Sequence, residues 1–102
     1  MNITDVQIIP IKAKDGLVAF ASLVLNNELY LSSIGIHKKA DGSGYRITYP
    51  TKVLGQRPFN IYHPINKEAS KEIEEAILTK AKEVMESSND RYNRHNTQGQ
   101  GI

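Results

Sequence analysis

The stretch Leu17 to Asn26, LVAFASLVLN, constrains the fold more than any other part of this 102-residue chain. Leu17, Ala19, Ala21, Leu23 and Leu25 alternate onto one face of a strand, and Val18, Phe20 and Val24 onto the other. A strand that is apolar on both faces belongs at the centre of a sheet, or has its second face covered by a partner. Turn signals bound it on both sides. Asp15-Gly16 precedes it and Asn26-Asn27 follows it, and both pairs suit a two-residue hairpin loop because Gly and Asn tolerate positive φ.

The neighbouring segments extend the same pattern. Ile3 to Ile11 is rich in β-branched residues and reads as a strand, with Pro10 pointing to an edge position because it has no N–H to donate. Glu28 to Ile36 reads as a third strand, with Leu29 and Leu31 on one face and Tyr30, Ile34 and Ile36 on the other. After the loop Asp41-Gly42-Ser43-Gly44, Tyr45 to Tyr49 makes a short fourth strand that Pro50 ends. Thr51 to Pro58 reads as a loop with a bend at Gly55, and Phe59 to His63 as a short extended piece closed by Pro64.

From Asn66 the period changes. Asn66 is placed to cap a helix. Behind it Ala69, Ile73, Ala76, Ile77, Ala81, Val84 and Met85 recur at spacings of three and four, the stripe of one amphipathic helix. Its other faces are charged, with Lys71–Glu75 and Lys82–Glu86 at i,i+4. The expected fold class is therefore α+β: an antiparallel four- to five-stranded β-sheet followed by one C-terminal amphipathic α-helix. Residues 1–86 form the single domain, and the polar stretch 87–102 reads as a disordered tail. One helix cannot cover both faces of a sheet whose second face would carry Val18, Phe20, Val24, Ile34 and Ile36. That surplus argues for a homodimer through the β-sheet.

Composition excludes several classes of function. The chain has no cysteine, so a disulfide framework, a thiolate metal site and a cysteine nucleophile are ruled out. No apolar run approaches the roughly 18 residues of a membrane span, and the N-terminus lacks the basic-then-apolar pattern of a signal peptide. A cytoplasmic location is the expectation. His37, His63 and His95 are too scattered to supply the three or four ligands of a metal site. His63 reads as a hydrogen-bonding residue at the corner before the helix. Gly42-Ser43-Gly44 precedes a strand and lacks the lysine of a phosphate loop, so it is a turn. No serine has the partners of a catalytic triad. No catalytic residue, metal or cofactor is expected.

Charge is unevenly spread. Residues 1–65 hold seven basic and four acidic side chains, whereas residues 66–86 hold four basic and six acidic. The basic excess gathers in Lys38, Lys39, Arg46, Lys52 and Arg57, with Asp41 the one acid among them. Such a cluster neutralises phosphates and releases counterions on binding a polyanion. Tyr45, Tyr49 and Tyr62, close by in sequence, have the chemistry to stack on bases but suit core or dimer contacts better. The acidic helix face, with Glu68, Glu72, Glu74 and Glu75, reads as solvated and would repel nucleic acid.

Four segments together carry a family resemblance: ITDVQI at 3–8, GLVAFASLVLNNELYLSSIGI at 16–36, YPTK at 49–52, and IYHPIN at 61–66 leading into the helix. In this order and spacing they resemble the stage V sporulation protein G (septation regulator) family over about residues 1–85. The resemblance implies small dimeric bacterial regulators that bind DNA and RNA without cofactor or catalysis. Lys52 matches the family's lysine after Pro-Ser, here Pro50-Thr51. Lys67 and Lys71 are the basic residues available near the helix start, where the family often has one. The chain departs from the pattern at Val53-Leu54, where arginine usually follows the lysine, and at Phe59-Asn60, where the family keeps Arg-Asp. The charge cluster Lys38, Lys39, Arg46, Lys52 and Arg57, together with Lys67 and Lys71 at the position the resemblance points to, makes the candidate nucleic-acid site, and the resemblance implies partners that are DNA, RNA or both. The alternative is a dimeric protein-interaction module that binds no nucleic acid.

Overall fold

The structure is a computed structural model that describes side chains through Glu86. Over residues 87–101, read from the sequence as a disordered tail, only the backbone is described, as the continuation of the C-terminal helix. The chain runs as β1 (Ile3–Lys14), β2 (Leu17–Leu25), β3 (Leu29–Lys38), β4 (Tyr45–Thr48), β5 (Thr51–Leu54), β6 (Arg57–Asn60) and α1 (Lys67–Gly101). Strands β1 to β4 form one antiparallel sheet in sequence order, and β5 and β6 form a separate two-stranded sheet. An antiparallel sheet followed by one helix is thus the architecture. The doubly apolar strand β2 is central, and the Pro10 strand β1 is an edge.

Local chemistry sets the turns. Asp15 and Gly16 both take positive φ, 52° and 90°, between the paired residues Lys14 and Leu17. Asn26 and Asn27 do the same at 54° and 55°, and the Glu28 N–H donates to the Leu25 carbonyl at 3.0 Å. Both are hairpins of the twist-matched kind that needs left-handed residues at both central positions.

The helix is capped as its sequence predicts. The Asn66 side-chain oxygen accepts from the Ala69 N–H at 2.7 Å, and the Asn66 carbonyl accepts from the Ser70 N–H at 3.1 Å. Ile73, Ile77 and Ala81 of the apolar stripe are buried against Ala19, Ala21, Leu23, Ile34 and Ile36 of β2 and β3. The i,i+4 pairs Lys71–Glu75 and Lys82–Glu86 do not close. Among the described residues the ion pairs within 4.0 Å are Met1 α-amino–Glu72 and Lys80–Glu83. Exposed helix pairs of this kind gain only about 0.3–0.5 kcal/mol, too little to fix two long side chains.

The alternation expected for β3 is corrected by a bulge. Leu31 pairs with Leu23 and Ile34 with Ala21, so Ser32 and Ser33 together occupy one step of the ladder, with Ser33 at φ 62°. The slip changes phase. Ile34 and Ile36 therefore face the helix beside Leu31, not the opposite side. A second irregularity, at Asp5 (φ 52°), does the same for β1 and brings Ile3 and Ile8 to the helix side. A shift between Leu17 and Ala19 turns Leu17 the other way. The open face consequently holds three rows across the sheet, Lys14–Leu17–His37–Arg46, Ile9–Phe20–Gly35–Thr48, and Thr4–Val24–Tyr30, with the Gln7–Ser22 pair between the last two.

Gly35 marks the tightest point of that face. A Cβ there would lie 2.8 Å from Thr48 Oγ1 and 3.2 Å from both His37 Nε2 and Leu17 Cδ1. The space belongs to the 2.9 Å hydrogen bond between His37 Nε2 and Thr48 Oγ1. Gly35→Ala is expected to destabilise the domain by about 1–3 kcal/mol, the usual range for overpacking. The loss should shrink in a Thr48→Ala background, and equal losses in urea titrations of both backgrounds would remove this contact as the cause.

Candidate nucleic-acid interface

The expected loop 51–58 is a β-hairpin. Lys52 pairs with Phe59, Val53 with Pro58 and Leu54 with Arg57, around a two-residue turn whose first central residue, Gly55, has φ 65°. Glycine in that position is the requirement of a type II′ turn, a signal present in the sequence at Gly55-Gln56. Pro58 fits because the hairpin has no further neighbour to need its N–H. Every residue of β5 and β6 is exposed.

A two-stranded hairpin is marginal in isolation, so its neck must be held. The Ile61 N–H donates to the Pro50 carbonyl at 2.8 Å. The rings of Tyr49 and Tyr62, just outside the two strands, meet edge to face with centroids 6.0 Å apart at 73°. The Tyr62 hydroxyl donates to the Ser32 carbonyl, on the stretch of β3 that β4 does not pair. Tyr45, Tyr49 and Tyr62 all pack against the core. They are structural, and the base-stacking role weighed for them does not fit their burial. Desolvation raises both neck phenols, Tyr62 with help from Tyr30. For Tyr49, burial first and then Glu74 and Tyr62 push the phenol up to about 12.

The seven expected site residues fall into three groups. Lys52 and Arg57 share one face of the hairpin with Leu54 and Phe59, since their pairs are two ladder steps apart. They are diagonal neighbours, about 7–8 Å apart on such a ladder. Lys38, Lys39 and Arg46 gather at the β3–β4 turn, but Arg46 opposes His37 on the open face, and Lys38 opposes Tyr45 on the helix side. Lys67 and Lys71 lie at the start of α1, where Lys71 shares a surface groove with Glu74 and Glu75. Among the described residues none of the seven cations forms an ion pair within 4.0 Å. The one acid of the turn, Asp41, accepts from the Ser43 N–H at 2.9 Å, and its hydrogen bonds to Ser43 hold its carboxyl below the usual carboxylate range.

Sequence reasoning missed Lys82. Folding places it beside Lys39 in a shallow cleft below the β3–β4 turn, together with Glu86. The larger cleft between β1 and α1 is lined by Glu72, Glu75 and Glu83, with Lys80 the one cationic side chain among its lining residues, so it is unsuited to a polyanion. His63 is exposed, and its Nδ1–H donates to the Pro64 carbonyl at 3.0 Å, a contact within the corner itself. Among the described residues no group of three or more His, Asp or Glu could hold a metal ion. Among the described residues no helix is long and apolar enough to cross a membrane.

A model of the SpoVG family matches residues 1–83, nearly the whole described part of the chain. The chain belongs to the SpoVG family. A relative named "Putative septation protein SpoVG" from Clostridium perfringens is 35% identical over 86 residues, covering 82% of this chain and 92% of that one. The protein of the same name from Phytoplasma australiense is 33% identical over 86 residues, covering 83% and 88%. That from Exiguobacterium sibiricum is 30% identical over 79 residues, covering 76% and 75%. The SpoVG match spans the sheet, the hairpin and the start of the helix, so the hairpin is part of the shared fold. SpoVG proteins are non-catalytic regulators connected with septation.

The neck gives a pH prediction. The Tyr49 hydroxyl is buried and has no hydrogen-bond partner among the described residues. Its phenol ionises at about 12 when folded, against 10.0 for the free side chain. The neutral form is therefore favoured by folding, so its contribution is intact below pH 10 and is lost as pH rises toward 12. Tyr49→Phe should leave neutral-pH stability unchanged or slightly higher, because no hydrogen bond is lost. It should also flatten the decline in melting temperature above pH 10. A variant that melts earlier at pH 7 would show that the hydroxyl has a partner in solution.

Proposed function

We propose that this chain is a non-catalytic regulator that binds DNA and RNA through phosphate contacts from its basic hairpin and the adjoining turn. The observation that carries the reading is the β5–β6 hairpin. It turns two cations five residues apart, Lys52 and Arg57, into neighbours on one exposed face. Both are among the seven that form no ion pair with the described residues. Lys38, Lys39 and Arg46 extend the positive surface at the sheet's end, with Lys67 and Lys71 as weaker contributors inside an acidic helix. Lysine and arginine without carboxylate partners release condensed counterions when they meet a phosphate chain, which is the main source of sequence-independent affinity. SpoVG relatives with arginine after the lysine place a further cation where this chain has Val53, so its hairpin carries less charge.

The same reading includes a homodimer through the β-structure. Its support is the apolar surface left outside the core: Val53, Leu54 and Phe59 on the hairpin and Ile61 and Ile65 beyond it are all exposed. That surface also favours a second reading, a protein-docking module without nucleic-acid binding.

The two readings separate in one experiment. Gel retardation of mixed-sequence DNA and RNA is titrated with salt for the wild type and for Lys38→Ala/Lys52→Ala/Arg57→Ala. The wild type should shift both at low salt. The variant should bind at least tenfold more weakly at about 50 mM salt and lose roughly one unit of log–log salt slope per residue removed. Wild-type affinity in a folded triple variant would remove the hairpin from the site. A wild type that retards nothing at low salt would favour the docking module.

A further inference from the structure

We infer that the open face of the four-stranded sheet is a stacking platform for single-stranded nucleic acid, centred on Phe20 and Tyr30. This rests on the nucleic-acid reading above and adds a second surface to it, with a preference for unpaired strands.

The face is aromatic and open. Phe20 is 37% exposed and Tyr30 69% exposed, and Ile9 beside Phe20 is 59% exposed. Neither aromatic belongs to the core cluster, unlike Tyr45, Tyr49 and Tyr62. The register pairs Phe20 with Gly35 and Val24 with Tyr30, which sets the two rings four residues apart along β2. That is roughly 13 Å, the length of about four stacked nucleotides at ~3.4 Å each. Aromatic rings at this spacing on a sheet accept bases a few positions apart on one strand whatever their identity, because every base has a π-face.

The chemistry between the rings suits bases and phosphates. Gly35 puts no side chain beside Phe20, and the surface there is the hydrogen-bonded imidazole–hydroxyl pair of His37 and Thr48. Burial first, and then the Arg46 charge, hold the His37 imidazole below its ordinary pKa, so it stays neutral at pH 7 and can meet a base edge. The row beyond it carries Lys14 and Arg46 at either side of the sheet.

Charge complementarity selects the occupant. Every charged residue in the three ladder rows of this face is basic. The acids among the described residues lie elsewhere. Asp5 sits in the β1 bulge, Asp15, Glu28 and Asp41 in turns, and Glu68, Glu72, Glu74, Glu75, Glu83 and Glu86 on the helix behind the sheet. A second copy of this chain seated on the face would bring Lys14 and Arg46 against like charges, whereas a polyanion would neutralise them.

Fluorescence anisotropy of the full chain with a labelled mixed-sequence single-stranded RNA, the same single-stranded DNA and the matching duplex tests this. The variants are Tyr30→Ala and Phe20→Leu, the second keeping apolar bulk without a ring, with circular dichroism confirming the fold. Each should weaken both single strands by roughly 5- to 100-fold, the range of one lost base stack. Each should change duplex affinity by less than about twofold, so that single-strand preference falls. Folded variants with unchanged single-strand affinity overturn the platform and leave the hairpin reading standing. Wild-type protein that binds none of the three probes at low salt overturns both. Variants whose mass by light scattering drops from dimer to monomer while binding persists overturn the platform in favour of a second copy on that face.

Discussion

A single helix can dry only one face of a four-stranded sheet, and the rest of this structure follows from that constraint. The apolar residues of three strands must reach the same side. Strict alternation would not bring them there. The bulges at Asp5 and Ser33 and the shift after Leu17 re-phase the strands, so that Ile3, Ile8, Leu31, Ile34 and Ile36 all meet Ile73, Ile77 and Ala81. Each bulge removes backbone groups from the ladder, and buried backbone groups need partners. The Ser32 carbonyl finds one in the Tyr62 hydroxyl. That bond, beside the β3 bulge, anchors the hairpin that follows.

That anchoring explains how an exposed two-stranded sheet keeps its shape. β5 and β6 bury nothing of their own. Their order comes from the neck, where a backbone hydrogen bond, an edge-to-face ring pair and the Tyr62–Ser32 bond converge. The hairpin stands clear of the body, and its Lys52 and Arg57 side chains stay in water. Cations that are neither paired nor desolvated keep their full charge for a phosphate partner, which is what the proposed binding of nucleic acid needs. The departures from the family pattern, Val53-Leu54 and Phe59-Asn60, leave the hairpin with fewer charges.

The sheet also divides the charge. Six glutamates of the helix lie on one side, and Lys14 and Arg46 cross the other. Water and the sheet separate the two populations, so under the proposed function a polyanion would be repelled from the helix side and drawn to the open face and the hairpin. The acid-lined cleft between β1 and α1 is unsuited to that partner.

Composition and period in the sequence alone determined the strand-rich half, the central place of β2, the Asp15-Gly16 and Asn26-Asn27 turns, the Asn66 cap and the buried stripe of the helix. These are local properties: alternation, capping chemistry and tolerance of positive φ act within a few residues. The motif order also carried the family. Tertiary structure alone decided the phase of β3, because a bulge at Ser33 leaves no mark in a Ser-Ser pair that would suit either face. It decided that the tyrosines near the basic stretch are core residues and that Phe20 and Tyr30 are the open ones. The hairpin at 51–60 lay in between. Gly55-Gln56 was a legible turn, but four-residue strands that bury nothing show no apolar period. Which cations meet is likewise a matter of register, since Lys52 and Arg57 become neighbours, and Lys38 and Arg46 part, through pairing between strands and not through their spacing along the chain.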